Sequence, residues 1–374
     1  MKITGIEVLE LAAPLASPWR IATATMSSMY ATVVRLHSDE GISGIGECIV
    51  RLGPGVTRAV IEEILAPIVI GRDPMDAEGI WDDMLGSMRA RGHSRGFLVE
   101  AMSGIDIALW DMVGKKLGVP VAKLLGGHGR PELPVYASSI LLAAPDAMAR
   151  EATALVGRGY RAIKMKVGEG LAPDTARIEA VRLAVGSDVE LMLDANSGYD
   201  APTAIGVARL AERLGIAWLE EPVPPDDLPG YRRIRRATSL PLAAGESEFT
   251  VAGVRELLAD GLLDVVQPDI ARAGGFTGCR RIATLAHAYN VAFAPHTGAS
   301  AAICMAASLH LGAAVPGFRI FEHMYLTHPL QEIVAPPLPQ PSRGRIEVPK
   351  GPGLGVELDE TAVARFRVGN RPGP

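Results

Sequence analysis

The sequence predicts an α/β protein, a β/α barrel with a smaller α+β domain ahead of it. Three observations predict this. From about residue 133, strand-like and helix-like segments alternate, and eight strands fit before residue 325. The first ~125 residues instead place strands first and helices afterwards. A polar residue also closes strand after strand in the second region, at a step close to the length of one βα unit.

In chain order, "KITGIEVLEL", "YATVVRLHSD" and "GISGIGECIV" read as three strands, the last two joined by a turn at Asp39 to Gly41. "TRAVIEEILAPIVIG", "DAEGIWDDMLGSMRA" and "FLVEAMSGIDIALWDMVGKKLG" carry apolar residues at helical spacing and stop at Gly or Pro. These segments assign residues 1–128 to the α+β domain. The barrel is assigned to residues 129–325, with strands in "LPVYASSI", "RAIKMKV", "VELMLDA", "IAWLEEP", "LPLAAGE", "LDVVQPD", "VAFAPH" and "GFRIFEH". Residues 326–374 hold the Pro-rich stretch "VAPPLPQPSRGRIEVPKGPGLG", too irregular for another βα unit. Its Val and Ile content is unlike a disordered tail, so it is expected to return over the first domain.

The composition excludes some functions. At 374 residues, 48% hydrophobic and 21% charged, the chain suits a soluble protein with one large domain and room for a second. A formal charge of −5 without a basic tract argues against a nucleic-acid partner. Cys48, Cys279 and Cys304 show no zinc or disulfide spacing. No apolar run approaches the ~20 residues of a membrane span, and the N-terminus alternates like a strand rather than a signal core. A cytoplasmic protein without a membrane partner is the expectation.

The chemistry is read from strand ends. In "RAIKMKV", Lys164 and Lys166 share a face, because side chains alternate along a strand. Asp194, Glu220, Glu246, Asp269, His296 and Glu322 follow at steps of 26, 26, 23, 27 and 26 residues, which places them at one height, the C-terminal mouth of the barrel. Asp194, Glu220 and Glu246 close together could not all stay ionised without a cation, and oxygen ligands alone suit Mg²⁺. Facing lysines repel, which is expected to lower one pKa toward a value useful for a base. Asp269, one strand before His296, is placed to fix its tautomer and make a second base. A Glu322 carboxyl kept protonated by burial could donate to a developing enolate oxygen. Together these groups point to removal of a proton α to a carboxylate.

The ordered motifs "KMK", "LMLDAN", "WLEEP", "AAGES", "QPD" and "APH", then a late Glu, resemble the enolase superfamily, specifically its mandelate racemase subgroup. "GIDIALWD", "KLLGG" and "GPGLGVEL" extend the resemblance over nearly the whole chain. It implies a modified (β/α)₇β barrel with an α+β capping domain, and Mg²⁺ on Asp194, Glu220 and Glu246. It implies Lys166 as base on one face, His296 with Asp269 as base on the other, Lys164 neutralising the substrate carboxylate, and Glu322 as electrophilic acid. It also implies a homo-oligomer.

Other polar residues are weighed against plainer roles. Glu220 and Glu221 point to opposite faces, so only one can be a ligand, and the resemblance selects Glu220. Asn196 shares the face of Asp194 and is either a substrate contact or a turn residue. Glu248 is a plain barrel-end acid; His93, His128, His310 and His328 read as surface or core residues, and His323 should point away from the cavity. By the resemblance, two capping-domain loops cover the substrate: "PLASPWRIATATMSS" and "RLGPGV". Trp19, Arg20, Thr23, Thr25, Met26, Tyr30, Arg51 and Leu52 are the lid candidates, with Arg20, Arg51 and Tyr30 singled out for substrate.

The expected activity is Mg²⁺-dependent α-proton abstraction through an enediolate, with loss of the β-hydroxyl from an acid sugar to give a 2-keto-3-deoxy acid. The alternatives are a racemase, epimerase or lactone cycloisomerase on the same site, and a non-catalytic metal-binding barrel.

Overall fold

The computed structural model describes residues 1–127 and 129–369; His128 lies outside them. The first domain is an antiparallel sheet in the order β1 (Ile3–Arg20), β2 (Thr25–Ser38) and β3 (Ser43–Cys48), packed on helices Ala77–Arg89 and Phe97–Leu117. The helix Phe97–Leu117 lies so close to β3 that a Cβ at Gly46 would sit 1.9 Å from the Gly104 carbonyl. Only glycine permits that approach.

Here the structure departs from the loop expected over "PLASPWRIATATMSS". β1 and β2 continue as a two-stranded ribbon, pairing Pro14 with Ser28 and, after a register shift, Trp19 with Met26 and Arg20 with Thr25. A tight turn closes it, with Ile21 N–H donating to the Ala24 carbonyl at 3.0 Å. Pro14 and Pro18 suggest a break in the sequence, but β1 is an edge strand, where a missing N–H leaves no ladder bond unmade.

The barrel strands are β4 (Glu132–Ile140), β5 (Ala162–Lys166), β6 (Glu190–Asp194), β7 (Leu219–Glu220), β8 (Leu242–Ala244), β9 (Val265–Val266), β10 (Ala292–Phe293) and β11 (Phe321–Met324). They run parallel in the order β10-β9-β8-β7-β6-β5-β4-β11. Phe293 also exchanges backbone bonds with Gly317 and Arg319 just before β11, which joins the two ends of the sheet. A helix follows each strand from β4 to β10, so the architecture is the (β/α)₇β barrel with an antiparallel cap that the sequence predicts. Leu191, Leu193, Leu219, Leu242 and Val266 belong to the main apolar core. Tyr136, Ala162, Met192, Trp218, Ala243, Val265, Ala294 and Ile320, one at or beside each strand, form a second cluster that plugs the barrel. Tyr136 and Trp218 meet edge to face there, 5.7 Å apart.

The tail first adds β13 (Arg345–Glu347) antiparallel to the start of β4, after β12 (Val334–Ala335), which pairs with β14 (Glu357–Leu358). It then crosses the cap: Leu354 N–H donates to Asp111 at 2.8 Å, and Val368 N–H to the Glu10 carbonyl at 2.8 Å. Among the described residues, no helix is long and apolar enough to cross a membrane. The three cysteines are buried and free.

Candidate active site

Strand register assembles the charged layer. Lys166 pairs directly across from Asp194, and Asp194 from Glu220. Glu246 lies just beyond β8, and an isolated parallel bridge couples Asp269 to His296 beyond β9 and β10. Asp194, Glu220 and Glu246 each present an oxygen within 4.8 Å of the others. Glu220 is gripped from three sides: by Lys164 Nζ at 2.5 Å on one oxygen, and by Gln267 Nε2 at 2.8 Å and Trp218 Nε1 at 3.1 Å on the other.

The lysines divide the carboxylates between them. Lys164, 1% exposed, contacts Glu220, Glu322 at 2.8 Å and Asp194 at 3.7 Å, whereas Lys166 takes Asp194 at 2.5 Å. Burial alone would lower the Lys164 pKa, but Glu220, Glu322 and Asp194 outweigh it and hold the ammonium well above its ordinary value. The lowered pKa expected of one lysine is therefore not found at Lys164, because carboxylates surround it. Burial raises Asp194, and Lys166 and Lys164 more than reverse that. Burial, aided by Asp194, Glu322 and Glu246, pushes Glu220 up to about 7 against the pull of Lys164.

Two ammonium groups and the His296 imidazole thus meet five carboxylates: Asp194, Glu220 and Glu322 against the lysines, Glu246, Asp269 and again Glu322 against the ring. A divalent cation among Asp194, Glu220 and Glu246 would offset much of the remaining charge. Three buried or half-buried oxygen donors without a thiolate fit a hard ion such as Mg²⁺.

Opposite Lys166, His296 Nδ1 bonds Asp269 at 2.8 Å, while Nε2 lies 3.3 Å from Glu246. Burial disfavours its charged form, but Glu246, Glu322 and Asp269 raise it to about 9. Glu322 corrects the expectation of a protonated acid. Burial would raise it, yet Lys164, His296 and the Ser138 hydroxyl, which donates at 2.6 Å, draw it well below the carboxylate range. Thr297 N–H also donates to it at 2.6 Å. In these surroundings Glu322 is an ionised acceptor, not a donor.

A cavity of about 390 Å³ opens between this layer and the ribbon. Lys166, Asn196, Glu246 and His296 form its polar end, and Trp19, Thr25, Met26, Tyr30, Arg51 and Leu52 its cap side. Asn196 donates to Asp194 through its backbone N–H at 2.9 Å, and its Oδ1 has no hydrogen-bond partner among the described residues. Arg51 Nη1 donates to the Gly298 carbonyl at 3.1 Å. Lys164 does not line the cavity; it is buried beneath the carboxylates. Neither Thr23 nor Arg20 lines it. Arg20 instead pairs with Glu169, which is shared with Arg177, at the loop after β5. Exposed pairs contribute about 0–1 kcal/mol, so Arg20→Ala should leave Mg²⁺ affinity unchanged and cost little in a denaturant melt. Loss of Mg²⁺ binding in that variant would return Arg20 to the site.

The remaining acids and histidines have other partners. Glu221 hydrogen-bonds Ser247 at 2.9 Å, and burial with Glu246 and Asp194 keeps its carboxyl well above the usual range. Glu248 pairs with Arg95. His323 contacts the Tyr160 hydroxyl at 2.8 Å, and His310 the Leu354 carbonyl at 3.0 Å; burial pushes both down to about 4. His328 bonds the Ser300 carbonyl at 3.0 Å, and His93 is exposed. Sequence reasoning missed Ser139, Leu141 and Met324 on the cavity wall, and Ser138, Thr297, Trp218 and Gln267 behind it. Trp218 and Gln267 sit two residues before Glu220 and Asp269, so strand alternation could have found them.

Comparison with known proteins gives this geometry a family. Residues 3–126 match the Mandelate racemase / muconate lactonizing enzyme, N-terminal domain, and residues 147–362 the Enolase C-terminal domain-like family. The chain is 35% identical to D-galactarolactone cycloisomerase of Agrobacterium fabrum, over 98% of this chain and 99% of that one. It is 34% identical to D-xylonate dehydratase of Haloferax volcanii, over 90% of this chain and 85% of the relative. The crystal structure of a racemase from Streptomyces coelicolor A3(2) with bound magnesium superimposes with a TM-score of 0.90 at 32% identity, covering 98% of this chain and all of that one (100%). With both of its domains matched and the carboxylate triad at the barrel mouth, this chain belongs to the enolase superfamily, in its mandelate racemase and muconate lactonizing enzyme branch.

Proposed function

We propose that this protein is an Mg²⁺-dependent lyase that takes the α-proton from an acid sugar and eliminates the β-hydroxyl, yielding a 2-keto-3-deoxy acid. The observation that carries the reading is the single cavity onto which Lys166 and His296 both open, with Glu246 and Asn196 beside them. Asp194, Glu220 and Glu246 would hold Mg²⁺. Bound there, the ion would anchor the substrate carboxylate and stabilise negative charge developing on it.

The residues divide the remaining work. Lys166 Nζ takes the α-proton, and its place against Asp194 aims it at the cavity end where that carboxylate would lie. His296, oriented through Nδ1 by Asp269, presents Nε2 to give a proton to the departing hydroxyl, so water leaves as the β C–O bond breaks. The resulting enol then ketonises to the 2-keto acid. Lys164 acts from behind, its buried charge favouring anionic character at Glu220 and Glu322 without reaching the cavity. Thr25, Ser28, Tyr30 and Arg51 supply hydrogen-bonding groups for a hydroxylated chain, and Trp19 and Met26 supply apolar surface for its C–H faces.

The experiment is incubation with a library of mono- and diacid sugars and Mg²⁺, scored for 2-keto acid. At least one member is expected to be consumed; silence across the library would overturn dehydration. Two bases opening on one cavity also suit an isomerase, and the 35% identical cycloisomerase lends that second reading support. Exchange of the α-hydrogen with solvent, without any keto acid, would select it.

A further inference from the structure

Asp269 orients His296, and what orients Asp269 comes from the other domain. Its Oδ2 accepts from His296 Nδ1, while its Oδ1 accepts the Ala271 N–H at 2.8 Å and faces the Cys304 thiol at 3.9 Å. Both of those neighbours are pinned by the end of β3. Ile49 N–H donates to the Ala271 carbonyl at 3.0 Å. Glu47, 2% exposed, accepts the Ala301 N–H on one carboxylate oxygen and the Cys304 N–H on the other, each at 2.8 Å. The Ala301 contact also ties down the segment that runs from His296 past Gly298 and Ala299 along the cavity wall.

We infer that Glu47 is a positioning residue for the Asp269–His296 pair, through which the capping domain sets one of the two proton-transfer groups and not the other. Among the described residues, none of the contacts that hold Lys166, Asp194 or Glu220 involves β3. A buried carboxylate is a costly way to join two domains, since a well-packed apolar side chain usually serves stability as well or better. A carboxylate can accept from two backbone N–H groups at once, which no apolar side chain can do. Glu47→Gln tests this, because the amide keeps the shape but turns one acceptor into a donor facing an N–H. The inference rests on the role proposed for His296 as the acid of the elimination, so the readout needs no turnover.

The measurement is the imidazole signal of His296 in Mg²⁺-loaded protein labelled with ¹⁵N-histidine, assigned by its absence in His296→Asn. The hydrogen-bonded Nδ1–H resonance of the wild type is expected to shift or vanish in Glu47→Gln, while calorimetry finds Mg²⁺ affinity unchanged. Glu47→Asp, which keeps the charge but draws the carboxylate back from the Ala301 and Cys304 N–H groups, should also move the resonance and serves if Glu47→Gln does not fold. An unmoved His296 resonance in the folded variants would overturn the inference. So would a parallel loss of Mg²⁺ affinity, which marks a general structural role. Failure of the acid-sugar screen would leave this result standing, because the resonance reports geometry rather than turnover.

Discussion

Replacing Lys166 with methionine is expected to lower turnover at least ~10²- to 10⁴-fold, the usual cost of losing a general base. Mg²⁺ affinity should hold or rise. Among the described residues Lys166 has one carboxylate partner, Asp194, and its side chain is 12% exposed at the cavity, so its loss frees a proposed metal ligand. Turnover should fall without a matching rise in KM, the pattern of an interaction realised only as the proton moves. Steady-state kinetics with isothermal titration of Mg²⁺ checks both halves. A variant that merely binds substrate less well, at unchanged kcat, would assign Lys166 to binding.

Lys164→Met should fail differently, in stability before chemistry. Its ammonium is buried against Glu220 and Glu322, and removing one partner of a buried charge pair costs about 3–5 kcal/mol. The carboxylates left behind would recover neutrality by binding protons. Their folded-state pKa values would then lie above the unfolded ones, so the deficit should widen as pH rises and narrow in acid. Added Mg²⁺ should restore part of the loss, because a ligand bound only by the folded state stabilises it by mass action, about 2.7 kcal/mol at a hundredfold excess over Kd. Thermal melts of the variant with and without Mg²⁺ measure this. Melting at the wild-type temperature without metal would mean that Lys164 does not hold the carboxylate cluster together.

The barrel was legible because one βα unit has a nearly constant length. That regularity made the 26-residue steps visible and put Asp194, Glu220 and Glu246 at one height before any contact was known. Alternation along β5 likewise placed Lys164 and Lys166 on one face. What stayed hidden depends on partners distant in sequence. Arg20 reads as a lid cation, yet its guanidinium is taken by Glu169, 149 residues away. Glu322 reads as an acid to be kept neutral by burial, and the placement of Lys164 at 2.8 Å, with His296 and Ser138 beside it, reverses that. The ribbon over residues 14–28 was obscured by two prolines that an edge strand tolerates. Glu47 looked like an ordinary strand residue in "GECIV", because the helix N-terminus it meets begins some 254 residues later.

The central claim is that Lys166 takes the proton from the substrate's α-carbon and His296 gives one to the departing hydroxyl, beside the carboxylates that would hold Mg²⁺. Solvent deuterium exchange at that carbon, followed by ¹H NMR with Mg²⁺ and an acid the wild type consumes, tests it most directly. The account predicts exchange in the wild type, exchange without keto acid in His296→Asn, and no exchange in Lys166→Met. Exchange at the wild-type rate in Lys166→Met would contradict it.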